Sequence, residues 1–295
     1  MIKRSIVITN SYSLRLRNAQ LVLTPTGDAG EATTIPIEDL GCVVVEHQHT
    51  LISIPLLTAL AEAGVQVVFC NAKGMPAAML QGYVGNNTQC ETLQLQINIG
   101  EVMKKQLWKQ IVEQKIRNQA ALLNKLGRDG NLLRPYYLHV KSGDADNREG
   151  IAAKIYFPQL FGEDFVRDRN LEGVNSLLNY GYAILRAAVA RALVSSGLHP
   201  GIGIFHHHRS NAFPLADDMM EPYRPFVDEI VCELALQHEM QLTKEVKSRL
   251  ISVLYADVCF PAVNRPLSIG LSMSTASLVK CFHKTTNSLS LPILQ

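Results

Sequence analysis

The densest chemistry in this chain lies between Ile204 and Asp228, where IFHHHRSNAFPLADDMMEPYRPFVD carries three consecutive histidines, three carboxylates ahead of a proline, and two arginines. Asp218 and Glu221 are three residues apart, so a helix through them places both on one face, where their oxygens can share a cation. A loop bearing His206, His207 and His208 precedes that helix. One imidazole with two carboxylates is an oxygen-rich donor set, which favours Mg²⁺ or Mn²⁺ over a thiolate site for zinc. Structural readings stand beside this one: acids in a first helical turn also complement the helix dipole, and a histidine run can be a surface loop.

A second acid, Glu149, opens a helical segment. Asp146-Asn147-Arg148-Glu149 has the spacing of a capping box, with Asp146 as the cap and Glu149 reaching back. Glu149 is therefore either a cap partner or a ligand that the fold brings to the histidine loop. Arg224 fits either a phosphate contact or a pair with Asp228 one turn on.

These residues need a scaffold. Short β-rich runs at 5–8, 14–17, 20–24, 33–37, 42–46 and 65–70, with a helix over 55–63 stopped by Gly64, predict a small β domain over residues 1–72. Residues 73–90 collect glycine, proline and asparagine and read as a linker. Beyond them the apolar period becomes helical. A long helix from Glu101 to Leu126 has Trp108, Ile111, Val112, Ile116, Ala120 and Leu123 on one face, and a basic stripe of Lys104, Lys105, Lys109, Lys115, Arg117 and Lys125 that reads as an ordinary solvated face or, alternatively, as a surface for backbone phosphates. Helices over 175–196, 214–236, 243–254 and 274–282 complete residues 91–295, whose tail, 285–295, is expected to be mobile unless a partner holds it. The expected class is α+β: a small N-terminal β-sheet, β-sandwich-like domain followed by a larger all-α catalytic domain.

Composition sets limits. With 295 residues, 47% of them hydrophobic, the chain can build sizeable cores, and a net charge of +2 confines any nucleic-acid role to local basic surface. Six scattered cysteines with no C-x-x-C pair argue against a zinc ribbon or a secreted disulfide framework, and for reduced thiols. An alternating stretch follows Lys3 and Arg4 where a signal peptide would be continuously apolar. The most apolar helix, Leu177 to Val194, is interrupted by Asn179, Arg186 and Arg191, so the expectation is a cytoplasmic protein without a membrane span.

N-R-E-G at Asn147 to Gly150, G-I-F-H at Gly203 to His206 and D-D-M-M-E-P-Y-R-P at Asp217 to Pro225 resemble the CRISPR-associated endonuclease and integrase, Cas protein one. I-K-R-S at Ile2 to Ser5, R-N-A-Q-L at Arg17 to Leu21 and L-L-N-Y-G-Y at Leu177 to Tyr182 are similar to its type II branch, and the likeness covers nearly the whole chain. The resemblance implies that Glu149, His206 and Glu221 are the catalytic metal ligands. His206 stands after the apolar G-x-x and fifteen residues before the last acid; His207 and His208 are its doubtful neighbours, and Asp218 matches an accompanying acid. It further implies a spacer integrase acting on double-stranded DNA, with Mg²⁺ or Mn²⁺, as homodimers bracketing the small Cas protein two, with the type II effector nuclease a further partner. Lys104, Lys105, Lys109, Arg148 and Arg186 are the candidate phosphate contacts. Another metal-dependent phosphodiesterase, or a non-catalytic DNA-binding scaffold, are the competing readings.

Overall fold

The computed structural model describes residues 3–27, 30–80, 82 and 86–295. Ile2 of the I-K-R-S run, and residues 81 and 83–85 of the expected linker, lie outside the described residues. The chain divides into two compact units, Met1–Val84 and Gly85–Gln295.

The first unit holds β1 (Arg4–Ile8), β2 (Tyr12–Arg17), β3 (Gln20–Pro25), β4 (Thr33–Pro36), β5 (Leu40–Val45), β6 (Leu51–Ile52), α1 (Ile54–Glu62), β7 (Gln66–Cys70) and β8 (Pro76–Leu80). One sheet runs β1-β5-β7-β8, parallel through β7 and closed by antiparallel β8; the other runs β4-β3-β2-β6. The β2–β3 hairpin turns at Asn18 and Ala19, both with positive φ (48° and 56°), as a tight turn matching strand twist requires. Alternation along the strands sends Leu14, Leu21 and Leu23 from one sheet and Val43, Val45 and Val67 from the other into a single core, which Leu56 and Leu60 of α1 share. The sequence reads 73–90 as linker, but β8 lies inside it: the Asn71–Gly74 turn folds Pro76–Leu80 back onto β7.

The second unit contains α2 (Gln89–Asn98), α3 (Glu101–Lys125), α4 (Arg134–Leu138), α5 (Arg148–Phe161), α6 (Val174–Ser195), α7 (Pro214–Met220), α8 (Arg224–Leu236), α9 (Lys244–Ser252), β9 (Asp257–Phe260), β10 (Val263–Pro266) and α10 (Leu267–Phe282). It is helical but not all-α, because β9 and β10 form an antiparallel pair. α6 is long and apolar enough to cross a bilayer, yet 78% of its apolar window is buried inside the protein. Cys42, Cys70, Cys232 and Cys281 are buried.

The expected mobile tail is instead a strap. Leu289, Leu291 and Leu294 are buried, Ile293 bridges to Cys259, and Gln110 and Asn118 of α3 bond the backbone of residues 287, 289, 292 and 294. The tail's apolar residues alternate too irregularly to read as an element, but Leu289, Leu291 and Leu294 find core positions while Ile293 stays exposed.

Candidate active site

Glu149 is the second residue of α5. Asn147, in the left-handed region (φ 51°), caps that helix by accepting from the Gly150 N–H at 3.1 Å, and a Cβ on Gly150 would stand 2.6 Å from the Asn147 amide. Buried Asp144 accepts from the N–H groups of Arg148 and Glu149 at 2.8 and 3.1 Å. Asn147 and Asp144, not Asp146, therefore hold this helix start, and Asp146 pairs with Arg148 and Lys141. With the cap supplied by others, the Glu149 carboxylate is free to point elsewhere, and it meets Lys115.

Glu221 sits at a break in the chain: α7 ends at Met220, a single 3₁₀ turn spans Glu221–Tyr223, and α8 starts at Arg224 with Pro225 in its first turn. Its side chain is 4% exposed, so its charge needs compensation. Lys115 Nζ lies 2.5 Å from Oε2, and Arg224 lies 2.9 Å from Oε1. The same ammonium lies 2.6 Å from Glu149 Oε1. Burial opposes ionisation of Glu221, but Arg224 and Lys115 outweigh it and hold its pKa below the usual carboxylate value. Burial likewise disfavours the Lys115 charge, and the two glutamates more than restore it. Arg224 thus pairs with Glu221, three residues back, rather than with Asp228, which Tyr156 and Tyr182 bond instead.

Asp218 does not share a cation with Glu221. Its buried carboxylate accepts the N–H groups of Ile204 and Phe205 at Oδ2 (2.6 and 3.0 Å), and the N–H of His206 at Oδ1 (3.1 Å), while Oδ1 also holds His206 Nδ1 at 2.7 Å. With Nδ1–H donated to a carboxylate, Nε2 is the nitrogen left to ligate, as in carboxylate–histidine–metal arrangements. The bond to Asp218 raises the His206 pKa above the ordinary histidine value. Gly203 makes the loop possible, since a Cβ there would lie 2.2 Å from the His206 carbonyl oxygen and 3.1 Å from Asp218 Oδ2. Phe205 stacks on Trp108 of α3 at 4.3 Å between centroids, and His206 meets the same indole edge-on. His207 and His208 are exposed and engaged locally, by the Phe205 carbonyl and by Ser210.

Beside His206 opens a cavity of about 670 Å³, lined by Arg167, Arg169, Arg186 and Arg224, with Asp217 its one acid. Arg186 is held by Asp217 (2.7 Å) and Asn211 (2.6 Å), and Arg167 by Asn175 and Asn179 (2.9 and 2.8 Å). Fixed guanidinium forks around a polar cavity suit phosphate. Of the other sequence candidates, Lys104 and Lys109 pair with Glu101 and Glu113 on α3, Lys105 is exposed, and Arg148 pairs with Asp146; none of these lines the cavity.

Lys115, Arg167 and Arg169 are absent from the sequence-level site. The stripe that counts Lys115 as solvated is corrected here: the residue is 8% exposed. The signal was present, because Ile111, Lys115, Asn118 and Leu122 follow i, i+4, i+7, i+11 along one buried face of α3. Among the described residues no three His, Cys, Asp or Glu side chains already form a metal-binding group, and between the two glutamates stands the Lys115 ammonium. The donor set nonetheless fits a hard divalent ion: two carboxylates that already share one cation, and an imidazole oriented by a third.

Two carboxylates, an oriented histidine and an arginine-lined cavity on a helical unit that follows a β unit define a protein equipped for chemistry at phosphate. The sequence pattern of the family described as CRISPR associated protein Cas1 matches residues 6–254, and the chain belongs to that family. It is 43% identical over 259 residues to the CRISPR-associated endonuclease Cas1 of Neisseria meningitidis serogroup C (strain 8013), covering 86% of this chain and 84% of the relative. Its fold is similar to that of a casposase bound to integration product (TM-score 0.78, 18% identity, covering 98% of this chain and 93% of the other). A Cas6-RT-Cas1–Cas2 complex shares the fold over 97% of this chain and 35% of that one (TM-score 0.73, 21% identity).

Proposed function

We propose that this chain is a metal-dependent DNA endonuclease and integrase of CRISPR adaptation, inserting new spacer DNA by attack of a DNA 3′-OH on a phosphodiester. The observation that carries this reading is the convergence of Glu149 and Glu221 on one buried cation, beside an Asp218-oriented His206 at the edge of an arginine-lined cavity. The 43% identical relative named as an endonuclease, and the fold shared with a casposase bound to integration product, support it.

Glu149, Glu221 and Nε2 of His206 are the proposed ligands of a divalent ion, Mg²⁺ or Mn²⁺. Such an ion, when bound, polarises a phosphodiester and stabilises the charge that develops on its oxygens. Asp218 keeps the His206 tautomer and ring plane fixed, and Trp108 with Phe205 packs against the ring. Arg224, with Arg167, Arg169 and Arg186, binds and orients the DNA backbone. Positioning a 3′-OH against the phosphodiester breaks one P–O bond and forms another; a water in that place gives hydrolysis.

The chain acts on double-stranded spacer precursor and repeat DNA in the cytoplasm, as a homodimer assembled with Cas2 and, in a type II system, alongside the effector nuclease. The Cas2-containing structure that shares the fold supports the assembly. Strand transfer on a synthetic branched DNA with Mn²⁺ tests the reading: rejoined product is expected with the wild type and is lost in Glu149→Ala, while DNA binding persists. Activity unchanged in Glu149→Ala overturns it.

A further inference from the structure

Lys115 occupies the position of greatest consequence in the site. Its ammonium lies 2.6 Å from Glu149 and 2.5 Å from Glu221, and both oxygens of Glu221 face a cation, Lys115 on one and Arg224 on the other. Two carboxylates here already meet two positive side chains, in surroundings where the Lys115 and Glu221 side chains are 10% and 4% exposed. The same carboxylate oxygens cannot serve an ammonium at these distances and a divalent ion at once. Taking up the ion therefore means moving the ammonium off them, which its flexible four-carbon stem permits. Without another anion, that exchange leaves Lys115, Arg224 and the ion in excess over two carboxylates, an unfavourable balance where solvent screens little. A DNA phosphodiester supplies the missing negative charge and a new acceptor for the displaced ammonium.

We infer that Lys115 is a positioning residue that acts as the resident cation of the site: it holds Glu149 and Glu221 together between turnovers and ties uptake of the divalent ion to arrival of DNA. This rests on the reading that Glu149, His206 and Glu221 are the metal ligands. Because coupling between two ligands is reciprocal, DNA tightens the ion and the ion tightens DNA by the same factor. The consequence is that the ion is held firmly only when a phosphate is in the cavity.

The test is Mn²⁺ binding to the full chain, read from the electron paramagnetic resonance signal of free Mn²⁺, with and without a branched DNA duplex whose own Mn²⁺ binding is subtracted. Wild type is expected to bind Mn²⁺ at least about ten-fold more tightly with DNA, within the usual range for coupled sites. Lys115→Met is expected to bind Mn²⁺ without DNA at least about ten-fold more tightly than wild type, with the effect of DNA reduced, whereas Lys115→Arg retains the wild-type coupling. Wild-type affinity indifferent to DNA overturns the inference and needs no variant, so it holds even if Lys115→Met fails to fold without the ion. A folded Lys115→Met with unchanged or weaker Mn²⁺ affinity overturns it as well. Glu149→Gln separates the two claims: Mn²⁺ binding that survives this change sinks the metal-ligand assignment and the inference with it. Binding lost in Glu149→Gln but unaltered in Lys115→Met sinks the Lys115 role alone.

Discussion

Asp218 Oδ1 stands 2.7 Å from His206 Nδ1, and the remaining capacity of the same carboxylate is filled by three consecutive loop N–H groups, those of Ile204, Phe205 and His206. One acid thus shapes the loop and sets which histidine nitrogen is available. The neighbouring acid, Glu221, points to a different set of partners, although the two lie only three residues apart.

Asp218→Asn replaces one of these oxygens with a donor, so at least two N–H groups lose their acceptor wherever the amide turns. Loss of an orienting carboxylate behind a metal-bound histidine costs roughly 10–100-fold in activity, and strand transfer is expected to fall by that amount. Gel-shift measurement should show DNA binding close to wild type. Because Asp218 raises the His206 pKa, the imidazole of the metal-free protein should titrate above the ordinary histidine value and move to lower pH in the variant, as read from its NMR chemical shifts.

Asp228 gives a stability test. Burial, against bonds from Tyr182 and Tyr156, raises its pKa from 3.8 to about 6. Between these values the folded state binds more protons than the unfolded one, so stability from this group is present below pH 4 and lost as pH rises to 6, about 3 kcal/mol in all. Urea unfolding of Asp228→Asn across pH 4 to 7 should therefore gain on wild type by about that amount as pH rises. A wild-type-minus-variant difference that stays flat across this range contradicts the assigned burial.

Much of this architecture is legible in sequence because it is local. The apolar face of α3 reads from Trp108 to Leu123, the β2–β3 turn from Asn18, and the start of α5 from the Asp146-to-Glu149 spacing, although its cap is Asn147 and not Asp146. What escapes is polar burial satisfied from far along the chain. Lys115 reads as one more surface lysine because its partners are 34 residues away, at Glu149, and beyond, at Glu221. Asp218 reads as a second ligand because spacing alone cannot say that a loop twelve to fourteen residues upstream will donate four bonds to it. The C-terminal strap is similar: nothing around Leu289 or Leu294 announces that Gln110 and Asn118 wait for their backbone, 176 to 179 residues earlier.

That strap bears on the site as well as on stability. Asn118 donates to the carbonyl of Pro222, next to Glu221, and to that of Pro292, while its Oδ1 accepts from Leu294. Ser274 bonds both Tyr223 and Ser290. Deleting residues 287–295 exposes the pockets of Leu289, Leu291 and Leu294, a loss of about 5 kcal/mol that should lower Tm by roughly 10 °C or more. At a temperature where the shortened chain is still folded, kcat should fall with KM for DNA little changed, because Asn118 and Ser274, which anchor the turn carrying Glu221, have lost their partners in the strap. A fall in Tm without any change in kcat would restrict the strap to stability.

The central claim, that this site joins DNA by attack of a 3′-OH, is tested most directly by strand transfer on a branched DNA whose invading end carries either a 3′-hydroxyl or a 3′-hydrogen, in Mn²⁺. The account predicts a new phosphodiester product from the hydroxyl substrate alone, with DNA affinity equal for both. Equal cleavage of the two substrates with no joined product from either would contradict it and leave a hydrolytic nuclease in its place.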